Sequence, residues 1–132
     1  MPKSILICDD EQELAEELAE FFLASGWRVE ICFSVPMALH LLSHDAQPDC
    51  ILTDLRVAQY SGADIIKAVR SRPQELPPIL IALMTGHVLG DMQASDFGAD
   101  LFYVKPIDPA CIMDEIESTL RQAATGTNRS GD

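Results

Sequence analysis

Five short apolar runs are the feature that most limits the fold of this chain. They have the length of β-strands, and most are nearly continuous in apolar residues rather than alternating with polar ones. Continuous runs of this kind are typical of strands that are covered on both faces. In chain order the runs occupy residues 4–8, 28–33, 50–55, 79–85 and 101–104.

Segments with a helical period separate these runs. The first has an apolar stripe at i, i+4, i+7 and i+8, formed by Leu14, Leu18, Phe21 and Phe22. Gly26 is a typical stop signal after such a stripe. Ser34 is a candidate cap for a second helix with Pro36 in its first turn, and a third helix is predicted to end before Pro73.

Two more helices are predicted in the second half of the chain. The fourth, between Leu89 and Phe97, has a weak pattern that Gly90 interrupts. The last helix opens at Asp108-Pro109, a cap residue followed by a first-turn proline. Residues 1–122 are therefore expected to form the domain, and 123–132 a flexible tail or the start of a linker.

The alternation of strands and helices predicts a doubly wound α/β domain. Five parallel strands would be joined by right-handed crossovers, with five helices covering both faces of the sheet. A chain of 132 residues, of which 48% are hydrophobic, suits one such domain. Ligands of these folds bind outside the carboxyl ends of the strands, so the residues after each strand are the candidates for function.

The net charge of −12 bears on the partners of the chain. A surface this acidic repels nucleic-acid backbones and anionic lipids, so direct nucleic-acid binding is not expected. The N-terminus lacks a signal segment, and no apolar stretch approaches the roughly 20 residues that span a bilayer. A cytoplasmic protein with no membrane insertion is the expectation.

Charged and hydroxyl side chains follow four of the five predicted strands. Asp9 and Asp10 come after the first, Asp54 after the third, Thr85 after the fourth and Lys105 after the fifth. Parallel strands bring their carboxyl ends to one edge, so these side chains are expected to converge. The predicted site contains three aspartates, a hydroxyl and an ammonium.

Three ionised aspartates at one edge repel one another unless a cation lies between them. Oxygen ligands in an open site suit Mg²⁺, or Mn²⁺, and the lack of a Cys/His cluster disfavours zinc. With a metal present, a carboxylate can act as a nucleophile at phosphorus. Asp54 ends the central strand and is the best candidate acceptor, whereas Asp9 and Asp10 are better placed to hold the metal. Lys105 and Thr85 could then contact phosphoryl oxygens.

Each of these residues also has an explanation without chemistry. Asp10, with Glu13 three residues later, could cap the first helix. Asp54 could cap a loop, Thr85 could end a strand and Lys105 could be a solvated loop residue. Taken together, these explanations require four coincidences at one edge, which favours the functional interpretation.

Four stretches resemble the receiver domains of two-component response regulators. "ILICDDEQEL" is similar to the acidic pair after the family's first strand, and "DCILTDLRVAQYSGADII" to its phosphoacceptor segment, including a later glycine, Gly62. "IALMTGH" and "GADLFYVKPID" resemble the Thr/Ser and Lys-Pro segments, and the likeness covers about residues 3–122. The resemblance implies a flavodoxin-like sheet with strand order 2-1-3-4-5, an order that the chemotaxis receiver exemplifies.

The resemblance also implies roles for the residues. Asp54 would accept a phosphoryl group from a phosphohistidine of a sensor histidine kinase or phosphotransfer protein. Asp10, Asp54 and the Arg56 carbonyl would bind Mg²⁺, with Asp9 assisting through water. Thr85 and Lys105 would contact the phosphoryl group, and Lys105-Pro106 would be a cis peptide bond.

Other positions are interpreted through the same likeness. Phe102, three residues before Lys105, stands where the family has a switch aromatic, although an ordinary core phenylalanine explains it equally well. Val57-Ala58 replaces the family's frequent Met-Pro, and Gly86 stands where alanine is common. Arg56 and His87 lie two residues after the acceptor and the threonine, so we hypothesise that they set the lifetime of the phosphoryl group.

The predicted function is a phosphoacceptor switch rather than an enzyme, with only self-catalysed transfer and autodephosphorylation. Phosphorylation would alter the surface of the fourth helix, fifth strand and last helix for an unknown output protein. A haloacid-dehalogenase-type phosphohydrolase is disfavoured because Arg56 replaces its second aspartate. An acidic first loop argues against a flavodoxin-like cofactor carrier, and the retained site residues argue against a degenerate receiver. A single-domain regulator and a module of a larger regulator or hybrid kinase both stay open.

Overall fold

The computed structural model describes residues 2–43, 47–86 and 93–129. Five strands form one parallel sheet: β1 Ser4–Cys8, β2 Arg28–Cys32, β3 Cys50–Asp54, β4 Leu80–Thr85 and β5 Leu101–Val104. Their order across the sheet is β2-β1-β3-β4-β5. The predicted strands and their order are confirmed.

Four α-helices accompany the sheet within the described residues: α1 Gln12–Ala24, α2 Val35–Ser43, α3 Ala63–Arg70 and α4 Pro109–Arg129. The helix predicted between Leu89 and Phe97 is corrected in its described part, where a single 3₁₀ turn spans Ala94–Phe97. Gly98, with a left-handed φ of 76°, ends that turn before it can lengthen. Residues 89–92 of the prediction lie outside the described residues.

The helix ends test the predicted caps. The Ser34 hydroxyl accepts a hydrogen bond from Met37 N at 3.3 Å, and the Asp108 carboxylate accepts one from Ala110 N at 3.0 Å, so both caps are confirmed. The cap predicted at Asp10 is wrong. Glu11 occupies the N-cap position of α1, no side chain caps that end, and the Asp10 carboxylate instead accepts a hydrogen bond from a distant loop.

The apolar core lies on both faces of the sheet. Residues of α2 and α3 pack against one face, and residues of α1 and α4 pack against the other. All five residues of β3 are buried, as expected for the central strand of a doubly wound fold. Because each fully buried leucine or isoleucine stabilises by about 1.5–3 kcal/mol, the two layers together hold the strand ends in fixed positions.

A short hairpin after β3 and the long last helix lie outside the five-stranded sheet. A hairpin follows β3, in which Arg56–Val57 pairs with Tyr60–Ser61. The backbone of α4 is helical to Arg129, so this helix passes residue 122, where the domain was predicted to end. The assignment of 123–132 as a tail or linker start stays a prediction.

No helix in the described ranges has both the length and the apolar character to cross a membrane.

Candidate functional site at the carboxyl edge of the sheet

The strand register explains why the predicted site residues meet. β1 pairs Cys8 with Thr53 of β3, so the residues that follow, Asp9 and Asp54, emerge side by side. On the other side of β3, β4 carries Thr85 to the same edge, and Lys105 N donates to the Thr85 carbonyl at 2.8 Å. An open cleft above this edge is lined by residues that include Asp10, Asp54, Arg56, Thr85 and Lys105.

The Lys105 ammonium is the centre of the polar contacts. Its Nζ lies 3.0 Å from Asp9 Oδ2 and 3.1 Å from Asp54 Oδ2, and it also forms an ion pair with Glu11. Asp9 is 0% exposed and Asp54 8%, whereas the Glu11 side chain is 61% exposed. One ammonium therefore pairs with two buried carboxylates and one at the surface, which leaves an excess of negative charge.

Burial raises the pKa of both buried carboxyl groups. For Asp9 this effect outweighs the hydrogen bonds from Glu11 N–H and Lys105, and for Asp54 it outweighs the bonds from Lys105 and Arg56 N–H. Burial alone would lower the pKa of Lys105, but its contacts with Glu11, Asp9 and Asp54 raise it overall. The lysine is thus firmly protonated, while the carboxylates ionise at a cost.

The backbone beneath Asp54 is closely packed. Leu55 N donates to Met84 O at 2.7 Å, and Gly62 N donates to Leu55 O at 2.7 Å. A Cβ atom at Gly62 would lie 2.1 Å from the Asp54 carbonyl oxygen and 3.0 Å from Thr53 Oγ1. Only glycine fits this position, and the close approach fixes the turn that carries Asp54.

The carboxylates offer a set of donors for a hard cation. Oxygens of Asp9, Glu11 and Asp54 all lie within 4.8 Å of one another, and buried aspartate oxygens beside an open cleft are the ligand type that Mg²⁺ takes. Asp10 also lines the cleft but does not belong to this group. Glu11 was not among the site residues predicted from the sequence. The signal was its spacing, two residues after Asp9 and on the same turn.

The other predicted positions are the Lys105-Pro106 bond, Phe102, Arg56 and His87. The Lys105-Pro106 peptide bond is cis, as predicted. Phe102 is partly buried with its ring centroid 6.2 Å from that of Phe97, which is a core contact and leaves the switch role untested. Arg56 lies at the cleft and donates its backbone N–H to the Asp54 carboxylate. His87 lies outside the described residues.

These features define a class of protein. A five-stranded parallel sheet with aspartates after its first and third strands and a lysine after its fifth is the architecture of a phosphoacceptor domain. The family model of the response regulator receiver domain matches residues 5–117, and the chain belongs to this family. Receiver domains of two-component systems act as switches that are phosphorylated on an aspartate.

Individual relatives agree with this assignment. The chain is 28% identical over 122 residues to the response regulator MprA of Mycolicibacterium vanbaalenii, covering 92% of this chain and 52% of that protein. It is 29% identical over 119 residues to the transcriptional regulatory protein CpxR of Escherichia coli K12, covering 90% and 50%. The chain thus spans about half the length of these curated relatives.

Solved structures share the fold. A CheY-like receiver domain protein from Methanospirillum hungatei superposes with a TM-score of 0.81 at 21% identity, covering 96% of this chain and 99% of that one. A response regulator from Burkholderia pseudomallei, solved with a phosphorylated aspartic acid, calcium ion and citrate, gives 0.74 at 22% identity, covering 98% and 75%. At these identities the likeness concerns the fold.

Proposed function

We propose that this receiver takes part in a phosphorelay and that Asp54 is its phosphoacceptor. The donor would be the phosphohistidine of a sensor histidine kinase or a phosphotransfer protein. One observation carries the proposal: Asp54 is a buried carboxylate at the end of the central strand, at the floor of an open cleft and 3.1 Å from a lysine ammonium. A buried carboxylate with a raised pKa beside a cation is typical of a functional group rather than a structural one.

The transfer is a displacement at phosphorus. An Asp54 carboxylate oxygen forms the new O–P bond, the N–P bond of the donor breaks, and its electron pair returns to the imidazole nitrogen. Lys105 supplies positive charge beside the acceptor, and the Thr85 hydroxyl is the second proposed contact for the phosphoryl oxygens. The protein's contribution is positioning and charge neutralisation.

The residues that would hold Mg²⁺, or Mn²⁺, are Asp10, Asp54 and the Arg56 carbonyl, with Asp9 assisting through water. Bound there, the ion would neutralise charge between the acceptor and the incoming phosphoryl group. Glu11 is close enough to Asp9 and Asp54 to support this site from the cleft mouth. All these donors are oxygens, which agrees with a hard divalent cation.

Phosphorylation would act on a switch formed by Thr85 and Phe102. Lys105, which directly follows β5, donates its backbone N–H to the Thr85 carbonyl. An inward movement of Thr85 toward the new dianion would therefore also shift the end of β5. Phe102 on β5 would then leave its contact with Phe97 and alter the surface next to α4. That surface would bind an output protein of unknown identity. We expect no direct nucleic-acid binding by this domain, because its net charge of −12 repels phosphate backbones. The proposed location of the protein is the cytoplasm.

Two further points belong to the proposal. Arg56 and His87 are proposed to set the phosphoryl lifetime by flanking the path of the hydrolytic water. The chain spans about half of its curated relatives, which supports the alternative that this receiver works as a module of a longer regulator. A phosphohydrolase activity stays disfavoured, because Arg56 offers no acid-base carboxylate.

The test is acyl-phosphate labelling. The protein is incubated with acetyl phosphate and Mg²⁺, and intact mass is measured for one added phosphoryl group of about 80 Da, as phosphoryl transfer to a carboxylate with loss of acetate predicts. We expect label on the parent, none on Asp54→Asn, and loss of the label in hydroxylamine. Asp64→Asn, on the exposed first turn of α3, is the matched control and should label like the parent. Equal labelling of Asp54→Asn would overturn the proposal.

A further inference from the structure

The Asp10 carboxylate makes a contact that its proposed metal role does not require. Asp10 Oδ2 accepts a hydrogen bond of 2.9 Å from Ala58 N, 48 residues along the chain. Ala58 belongs to the hairpin after β3, which also contains Arg56, the proposed carbonyl ligand. The first strand's acidic loop and the phosphoacceptor loop are thus joined by one hydrogen bond across the cleft.

Ala58 has an unusual backbone conformation. Val57 pairs with Tyr60, so Ala58 and Gln59 form a two-residue turn, and φ at Ala58 is 56°. Among the described residues no other non-glycine residue has a positive φ. A turn with a left-handed first residue strongly favours glycine there. Because alanine does not favour this conformation by itself, a contact from elsewhere must help to hold it, and the Asp10 carboxylate supplies one.

The same contact occupies one oxygen of a proposed metal ligand. Asp10, Asp54 and Ala58 line the same cleft, and the Ala58 N–H already donates to Asp10 Oδ2. Two oxygens bound to one Mg²⁺ are at most about 4.2 Å apart, twice the metal–oxygen distance. An ion that binds both Asp10 and Asp54 must therefore draw their oxygens within this distance while it competes with the Ala58 N–H for Asp10.

We infer that the Ala58 N–H is a latch that competes with the metal ion for the Asp10 carboxylate. This inference rests on the proposed function. Binding of the ion exchanges the Asp10–Ala58 hydrogen bond for coordination, so the turn at Ala58 lowers metal affinity and rearranges when the ion binds. Ala58 is a positioning residue, acting on the ion through Asp10 and through the hairpin that carries Arg56.

Two substitutions at residue 58 test the latch. Ala58→Pro removes the N–H donor and also forces φ to about −65°, so it breaks both the latch and the left-handed turn, whereas Ala58→Gly keeps the donor and suits the left-handed φ. Mg²⁺ affinity is measured by isothermal titration calorimetry on the full chain. We expect the Kd to fall about fivefold in Ala58→Pro, as loss of a modest hydrogen bond predicts. In Ala58→Gly the Kd should stay at the parent value or rise. A fall of the same size in both variants, or none in Ala58→Pro, would overturn the latch.

A second measurement does not depend on how Ala58→Pro folds. The Ala58 amide is followed in a ¹H–¹⁵N spectrum of the parent while Mg²⁺ is added. We expect its proton to shift upfield and exchange faster with solvent, and Asp10→Asn to weaken its response to Mg²⁺. An Ala58 amide that is unaffected at saturating Mg²⁺ overturns the latch. If the parent labels on Asp54 and binds Mg²⁺, such a result leaves the proposed function standing. Absence of Mg²⁺ binding by the parent overturns the latch together with the proposed metal site.

Discussion

The two ends of this parallel sheet use their carboxylates in opposite ways. At the amino end, Asp49 accepts a hydrogen bond from Ser4 N at 2.8 Å, and Asp100 accepts one from Ile81 N at 2.8 Å. Arg70 adds an ion pair to Asp100 at 3.2 Å. Each carboxylate here has its own donors and ties one strand to the segment beside it.

At the carboxyl end, three carboxylates share one ammonium. Asp9, Glu11 and Asp54 all pair with Lys105, although Asp9 and Asp54 are buried and have raised pKa values. The amino end therefore uses charge to hold the strands, whereas the carboxyl end concentrates more negative charge around Lys105 than its ammonium compensates. Excess charge of this kind reduces stability and is retained where it serves binding or chemistry.

The largest effect is expected from filling the space beneath Asp54. Gly62→Ala would bring a Cβ within 2.1 Å of the Asp54 carbonyl oxygen, so the backbone must shift. We expect the free energy of unfolding to fall by about 3 kcal/mol. Urea unfolding, followed by the fluorescence of the single tryptophan, Trp27, measures this change.

Gly86→Ala is the matched control at the same edge. Within the part of the chain that the structure describes, a Cβ at Gly86 would meet no heavy atom within 4 Å, so we expect a change within about 0.5 kcal/mol. Equal effects at the two glycines would show that the turn carrying Asp54 is not held by close packing.

Neutralising one carboxylate at each end should change stability in opposite directions. Asp54→Asn removes a charge that burial penalises, so without metal we expect the free energy of unfolding to rise. Asp100→Asn weakens the bonds to Ile81 N and Arg70, so we expect a fall of about 1 kcal/mol. Urea unfolding at pH 7 in EDTA compares both variants with the parent. A fall in both would remove the distinction between the ends.

The pH dependence of the Asp54→Asn effect follows from the same shift. The pKa of Asp54 is raised in the folded protein, so the folded state binds this proton more tightly than the unfolded one. The ionised group therefore costs stability above its folded pKa, and the cost disappears as pH falls below the ordinary value of 3.8. The gain from Asp54→Asn should be constant above the raised folded pKa and should shrink as pH falls from that pKa toward 3.8. A gain that grows on acidification would contradict burial as its cause.

The fold was predictable because its signals are local. Each apolar run matches a strand to within a residue or so, and the caps at Ser34 and Asp108 are local hydrogen bonds. The helix before Gly98 was the exception, since a glycine just after a weak apolar pattern decides where the turn ends. Strand order came only from the family resemblance, because spacing along the chain does not specify which strands pair.

The site was predictable in its members but not in its pairings. Strand ends placed Asp9, Asp54 and Lys105 together, because parallel strands end at one edge. The contact between Asp10 and Ala58 depends on a turn 48 residues away, and nothing in the sequence around Asp10 indicates it. Glu13, three residues after Asp10, favoured a helix cap instead. Contacts between loops are decided by tertiary geometry, which local patterns do not contain.

The smallest effect is expected from the exposed member of the carboxylate group. Glu11→Gln removes one of the three partners of Lys105 but leaves both buried partners, Asp9 and Asp54, in place. Because exposed ion pairs contribute little, we expect the free energy of unfolding to change by less than about 0.5 kcal/mol. Glu13→Gln, an exposed neighbour in the first turn of α1, is the matched control. Urea unfolding in EDTA at low and high salt measures both.

The salt series identifies which partners fix Lys105. If the buried carboxylates hold it, the small effect of Glu11→Gln should vanish in 1 M salt, where the screening length is about 3 Å. If Glu11→Gln lowers the free energy of unfolding much more than Glu13→Gln does, and the difference persists at high salt, then Glu11 is needed to keep Lys105 over the cleft. The exposed Glu11 would then belong to the charged group around Lys105, and the excess negative charge at this end would not be confined to the two buried aspartates.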